Sequence, residues 1–193
     1  MKTVFTYIFI IITSLTIICC NDSNKAITPR PIGYARITPI DSTYTHIQHH
    51  KIYFATNNSA QVIHDSTNTQ WYNIVYPQYN AIIYCSFTPT TESTIEKIIQ
   101  NRVERISLNI GDNPSISTEL KNDNNFVSTI IKTPTGTINP LQFISTDNVS
   151  WVISGTLLLK ESLSSKSDSL LPVIDAIERD IIYALENINL IEP

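Results

Sequence analysis

An apolar run from Val4 to Ile18 stands between Lys2 and the polar stretch Asn21-Asp22-Ser23-Asn24, and it takes the start of the chain out of any globular fold. A positive start, an apolar middle and small residues at a cut define a secretory signal. The run is 15 residues long, short of the roughly 20 that span a bilayer, and no basic stop-transfer cluster follows it. Both facts argue against an uncleaved anchor. The pair Cys19-Cys20 refines the reading. A bacterial lipoprotein signal has a branched apolar residue three positions before the modified Cys and a small residue directly before it. For Cys20 those positions hold Ile17 and Cys19; for Cys19 they hold Thr16 and the bulky Ile18. The sequence therefore predicts a signal over residues 1–19 and lipid attachment at Cys20. Two or more acyl chains of the palmitate type hold a protein durably on a membrane, where one chain does not. The mature chain is expected in the bacterial cell envelope facing the periplasm, with inner and outer membrane both left open.

Removal of 19 residues from 193 leaves 174, a length that suits one domain with one core. Residues 20–32 read as a lipidated tether, polar at first and then stiffened by Pro29-Arg30-Pro31; residues 33–193 read as the globular domain. Of the three cysteines, Cys19 leaves with the signal and Cys20 carries lipid, so Cys85 is the one thiol left. No intrachain disulfide can form, and the core alone must hold the fold. Cys85 alternates with Ile83 and Phe87 on one strand face and reads as a buried apolar residue. The net charge of −4 becomes −5 once Lys2 departs, with no basic block, which argues against nucleic acid as a partner. Four glycines are too few and too scattered to write a dinucleotide fingerprint, a phosphate loop or a nucleophile elbow.

Along the chain, Gly33–Ile37 reads as a first strand and Tyr44–Ala55 as an extended segment, followed by a turn at Asn57-Asn58-Ser59 and a short strand at Val62–His64. Trp71–Tyr76 alternates cleanly, with Trp71, Asn73 and Val75 opposite Tyr72, Ile74 and Tyr76. Pro77–Asn80 turns it back into Ala81–Phe87 as a hairpin. A helix follows, with Ser93 as N-cap, Glu96 completing a capping box, and Ile95, Ile99, Val103, Ile106 and Ile110 as its apolar face up to Gly111. Ile116–Leu120, Phe126–Lys132, Leu141–Thr146 and Ser150–Lys160 read as strands. In the last of these, Trp151, Ile153, Gly155, Leu157 and Leu159 share a face, so Trp151 is expected in the core. Asp147-Asn148 makes the tight turn before it. A final helix, capped by Asp168 or Ser169 with Pro172 in its first turn, buries Leu170, Val173, Ile177, Ile181, Leu185 and Ile188, and pairs Asp175 with Arg179 on its exposed side. The sum is an α+β fold: an antiparallel sheet packed against two amphipathic helices.

Little in this pattern carries chemistry. His46, His49, His50 and His64 lie close in sequence, and an extended segment would put His46 and His50 on one face against His49. No Cys and few acids accompany them, so surface or strand-edge histidines are favoured over a metal site. Asp175, Glu178 and Asp180 read as the solvated side of a helix rather than a general acid/base pair. The Trp and Tyr residues read as core or interface. No catalytic residue, metal ligand or cofactor is expected.

Several segments, in order, resemble the GldD family of gliding-motility lipoproteins from the Bacteroidetes. They are Pro29-Arg30-Pro31-Ile32-Gly33-Tyr34-Ala35-Arg36-Ile37, the Trp71–Pro77 strand with its return Ile82–Phe87, Pro140-Leu141-Gln142-Phe143, Trp151–Leu157, and Ser167–Val173. The resemblance implies an accessory role in gliding motility and in type IX protein secretion, with other envelope proteins of that apparatus as partners and no catalytic residues to carry over. The order of strands before a final helix also resembles Mog1/PsbP-like sandwiches, an analogy of fold only. Two readings follow: a non-enzymatic scaffold lipoprotein of that apparatus, or a lipoprotein binding module for a small envelope ligand. Both share the anchor. Cys20→Ala should abolish metabolic labelling with a fatty-acid probe and release the protein from the membrane pellet or leave its signal uncut; labelling equal to wild type would place the lipid elsewhere.

Overall fold

The alternation of large apolar and small polar side chains between residues 44 and 159 builds nine of the ten described strands of two antiparallel sheets. The computed structural model describes residues 42–64, 70–133, 137–160 and 167–191, within the unit spanning 33–193. The tether and the strand expected at Gly33–Ile37 lie outside these residues. Strands β1 (Tyr44–His49), β2 (Ile52–Asn57) and β10 (Asn189–Leu190) form a three-stranded sheet with β2 in the middle. Strands β3 (Gln61–His64), β4 (Trp71–Tyr76), β5 (Ala81–Pro89), β6 (Ile116–Lys121), β7 (Val127–Lys132), β8 (Leu141–Thr146) and β9 (Trp151–Leu159) form a seven-stranded sheet in the order β3-β4-β5-β9-β8-β7-β6. Helices α1 (Ile95–Ile110) and α2 (Ser167–Glu186) complete the α+β architecture.

The two faces of the large sheet are covered differently. On the inner face, Tyr72, Ile83, Ile130, Leu141, Ile153 and Leu157 are buried in one cluster with Ile52 and Phe54 of β2 and with Ile174, Ile177 and Ile181 of α2. Trp151 is there as expected, at 8% exposure. On the outer face, α1 sets Ile95 and Ile106 against Val152 of β9 and Ile144 of β8. Each such large apolar side chain withdrawn from water contributes about 1.5–3 kcal/mol, and no disulfide among the described residues adds to this. Cys85 is buried between the two halves of the inner face, and burial pushes its thiol up to about 12.

Several local expectations are corrected. The segment Tyr44–Ala55 is not one extended run but the hairpin β1–β2, with His49 opposite Ile52 and His50 at φ 53° in the left-handed region. Neither turn residue is the Asn or Gly that usually signals such a bend. The N-cap of α1 is Thr94, not Ser93, and no capping box forms; Thr94 Oγ1 instead accepts the Thr91 N–H at 3.0 Å. Val103 is 53% exposed, and the half-buried Arg102 takes its place on the covered side. Helix α2 begins at Ser167, so Pro172 sits inside it rather than in the first turn. Asp175 pairs not with Arg179 but with Lys132, whose Nζ donates at 2.6 Å to both Asp175 and Glu178 and ties α2 to β7.

The largest correction is Asp180. It is 6% exposed, not solvated. The Tyr44 hydroxyl donates to its Oδ1 at 2.7 Å, the Asn57 amide to Oδ1 at 3.2 Å, and the Tyr76 hydroxyl to Oδ2 at 3.1 Å. One carboxylate thus links β1 and β2 of the small sheet, β4 of the large sheet and helix α2. Burial raises its pKa above the ordinary carboxylate value, outweighing the three donors that favour the charged form. Its own burial first, and then the same carboxylate, push the Tyr44 hydroxyl up to about 12. Tyr44 also stacks on Tyr183 of α2 with ring centroids 3.8 Å apart.

Two predictions follow from this packing. A Cβ at Gly155 would lie 2.1 Å from the Phe143 ring, so Gly155→Ala should lower unfolding free energy by about 1–3 kcal/mol. Pairing it with Phe143→Leu should recover part of the loss in a double-mutant cycle by urea unfolding; simple additivity would refute the steric account. Asp180→Ala should cost about 2–4 kcal/mol by stranding buried donors, and Asp180→Asn distinctly less. Because the folded pKa of Asp180 is raised, its contribution is complete below the unfolded value and is lost as pH rises through the folded value. The stability of wild type relative to Asp180→Asn should therefore decline as pH rises from about 3 towards neutrality; a rising or flat difference would reverse the assignment.

Candidate functional site

Antiparallel register places alternate residues of β4, β5, β9 and β8 in lateral rows on the outer face. One row runs Trp71, Ser86, Ser154, Ile144; the next runs Asn73, Tyr84, Thr156, Gln142. Helix α1 covers the β8–β9 end of these rows and leaves the β4–β5 end open. The step between helix and open sheet is a groove of about 620 Å³. That volume is in the range of small-ligand sites.

The groove is built from three kinds of side chain. Trp71 and Tyr84 rise from the open sheet, 52% and 47% exposed, with Ile63 of β3 beside them across Asn73. Ser86, Ser154 and Thr156 supply hydroxyls on the floor, half-buried. From α1, Arg102 and Arg105 reach the groove one helical turn apart, with Asn109 one turn further on. Asn109 Nδ2 donates to the buried Gln142 Oε1 at 2.8 Å and closes the far end.

Electrostatically the groove is unbalanced. Arg102 Nη2 donates to Ser86 Oγ and to Thr88 Oγ1, each at 3.2 Å. These hydroxyls position the guanidinium but carry no charge. Both ion pairs among the described residues are at Lys132, so neither Arg102 nor Arg105 has a carboxylate partner there. Burial first, and then the neighbouring Arg105 charge, pull the Arg102 pKa down. A positive charge held half out of water without a counter-ion favours an incoming anion.

The residues singled out from sequence are distributed elsewhere. Cys20 lies outside the described residues. His46 is exposed on β1. His49 is buried in an aromatic cluster, 4.8 Å from the Phe87 ring and 5.3 Å from Tyr72. His64 packs edge-on against Tyr72, and His50 stacks on Trp151. The chain reversal at His50 removes the shared face expected for His46 and His50. The described residues contain no group of three His, Cys, Asp or Glu side chains able to hold a metal ion. Asp175 and Glu178 are engaged by Lys132, and Asp180 joins the layers as above.

Sequence reasoning missed the groove because its parts come from four strands and a helix. One signal was available: Arg102 falls seven residues after Ile95 and four before Ile106, on the same helical face as both.

A solution structure of cyanobacterial PsbP from Synechocystis is 8% identical with a TM-score of 0.39, over 83% of this chain and 99% of that one. No curated protein matches. No described helix is long and apolar enough to cross a membrane. The family model for the gliding motility lipoprotein GldD matches residues 24–190 of the 193, and the protein belongs to that family.

Proposed function

We propose that this lipoprotein is a non-enzymatic accessory component of the gliding apparatus and of type IX protein secretion, tethered through Cys20 and acting by contact with other envelope proteins. Family membership over residues 24–190 carries the reading. The open end of the outer face supports it: Trp71, Tyr84 and Arg102 belong to the residue types that dominate binding energy at protein interfaces. The buried or paired state of Asp175, Glu178 and Asp180 leaves these carboxylates to structural roles. A second reading, a binding module for a small envelope ligand, is favoured by one observation, the groove of about 620 Å³ in which Arg102 and Arg105 have no carboxylate partner among the described residues.

Deletion should stop surface spreading and block export of type IX cargo. Cys20→Ala should weaken export, because a tether maintains a high local concentration that a free protein lacks. Trp71→Ala combined with Tyr84→Ala should weaken it while leaving abundance unchanged. Single changes at His46, His50, His64 or Asp175 should leave secreted cargo near wild type. If one normally abundant, folded variant of those four abolished export as fully as deletion, action by contact alone would be refuted and a chemical role would replace it.

A further inference from the structure

We infer that the outer-face groove is a binding site for an anionic saccharide: a sugar ring lying against Trp71 and Tyr84, with its carboxylate or phosphate between Arg102 and Arg105. The inference rests on the binding-module reading and gives it a ligand class. Three observations select that class.

The first is the charge. Arg102 is already oriented through Nη2 by Ser86 and Thr88, so an arriving oxyanion would meet the remaining N–H donors of a positioned guanidinium rather than a mobile side chain. Arginine presents paired N–H donors that match carboxylate and phosphate oxygens, and pre-orientation lowers the entropy lost on binding. The second is the lining. Hydroxyls and amides are spread among the apolar side chains that line the groove: Ser86, Ser154 and Thr156 on the floor, with Asn73 and Asn109 at the sides. These are donors and acceptors spread over a surface, as a ring bearing several hydroxyls requires. The third is the aromatic pair. Trp71 and Tyr84 stand half-exposed on adjacent rows of adjacent strands. The electron-rich face of an aromatic ring attracts the weakly positive C–H edges of a sugar.

The same geometry argues against a peptide occupant. The floor is the face of interior strands whose backbone groups are already paired, so an extended chain finds no free edge to extend. Nor does the floor offer the continuous apolar trough that an amphipathic helix would need.

The test uses the full-length protein in detergent, titrated by calorimetry with glucuronate, a hexose monophosphate, neutral galactose, inorganic phosphate and a tetraglutamate peptide. Trp71 provides a local signal, since the chain's other tryptophan, Trp151, is buried. Glucuronate and the hexose phosphate should bind saturably and shift Trp71 emission. Arg102→Gln and the exposed, fold-neutral Arg105→Gln should each weaken binding about tenfold, and Trp71→Ala should weaken it with the circular-dichroism spectrum unchanged. Neutral galactose binding as tightly as glucuronate would overturn the role of the arginines. Inorganic phosphate binding as tightly as the hexose phosphate would overturn the role of the ring. Tetraglutamate binding more tightly than either sugar, with the same variant pattern, would overturn the saccharide class and leave the groove as a peptide contact. Absence of saturable binding by every probe would overturn the inference, while the export assay on the Trp71/Tyr84 double variant judges the groove itself separately.

Discussion

The three layers of this molecule meet at one buried carboxylate. Asp180 receives hydrogen bonds from Tyr44, Asn57 and Tyr76, which belong to three different strands in two different sheets. The arrangement is not a cheap source of stability. Withdrawing a carboxylate from water costs several kcal/mol, and its raised pKa records that this cost exceeds what the donors return to the charged form. What the contact supplies is selection: any sliding of the small sheet along α2 would separate Asp180 from at least one donor and strand a buried polar group. Apolar packing alone tolerates such sliding, since one isoleucine replaces another with little change. In a domain without a described disulfide, a polar lock of this kind fixes which of several similar packings is the native one.

How far the sequence foretold this differs from element to element. The β4–β5 and β8–β9 hairpins were legible because alternation and turn chemistry agree there. Pro77 and Asn80 close the first, and Asp147 accepts the backbone N–H groups of Val149, Ser150 and Trp151 in the second. The β1–β2 hairpin was not legible, because His50 bends the chain without a glycine or asparagine. Asp180 was misread for a related reason. Periodicity assigns a face to each helical position but cannot say whether the facing surface holds three hydrogen-bond donors. Val103 and Arg102 exchanged places because an arginine stem can line a covered face while its head reaches a polar partner. Of the groove only Arg102, on the covered face of its helix, left a trace in the sequence; the other residues converge only once β4, β5, β9 and β8 have paired.

The function suggested by the family and the structure's asymmetry meet on the outer face. A single helix of sixteen residues cannot cover seven strands. It seals β8 and β9, where Ile144 and Val152 need cover, and ends its reach before β4 and β5. The uncovered strands carry Trp71, Asn73, Tyr84 and Ser86, a mixture that is neither the apolar surface of a missing core partner nor an ordinary charged exterior. What stays open is a mixed face bordered on its helix side by Arg102 and Arg105.

Cys85 has a consequence of another kind. Among the described residues it is the sole cysteine, and the fold buries it in the same cross-strand row as Tyr72, Gly155 and Phe143. The described residues are therefore held together with no disulfide bridge among them. The native state is chemically silent towards alkylating reagents, and the opened state is reactive. The rate at which a maleimide marks this protein on intact cells becomes a clock for how often the sandwich breathes, read in the place where it works and without an added label.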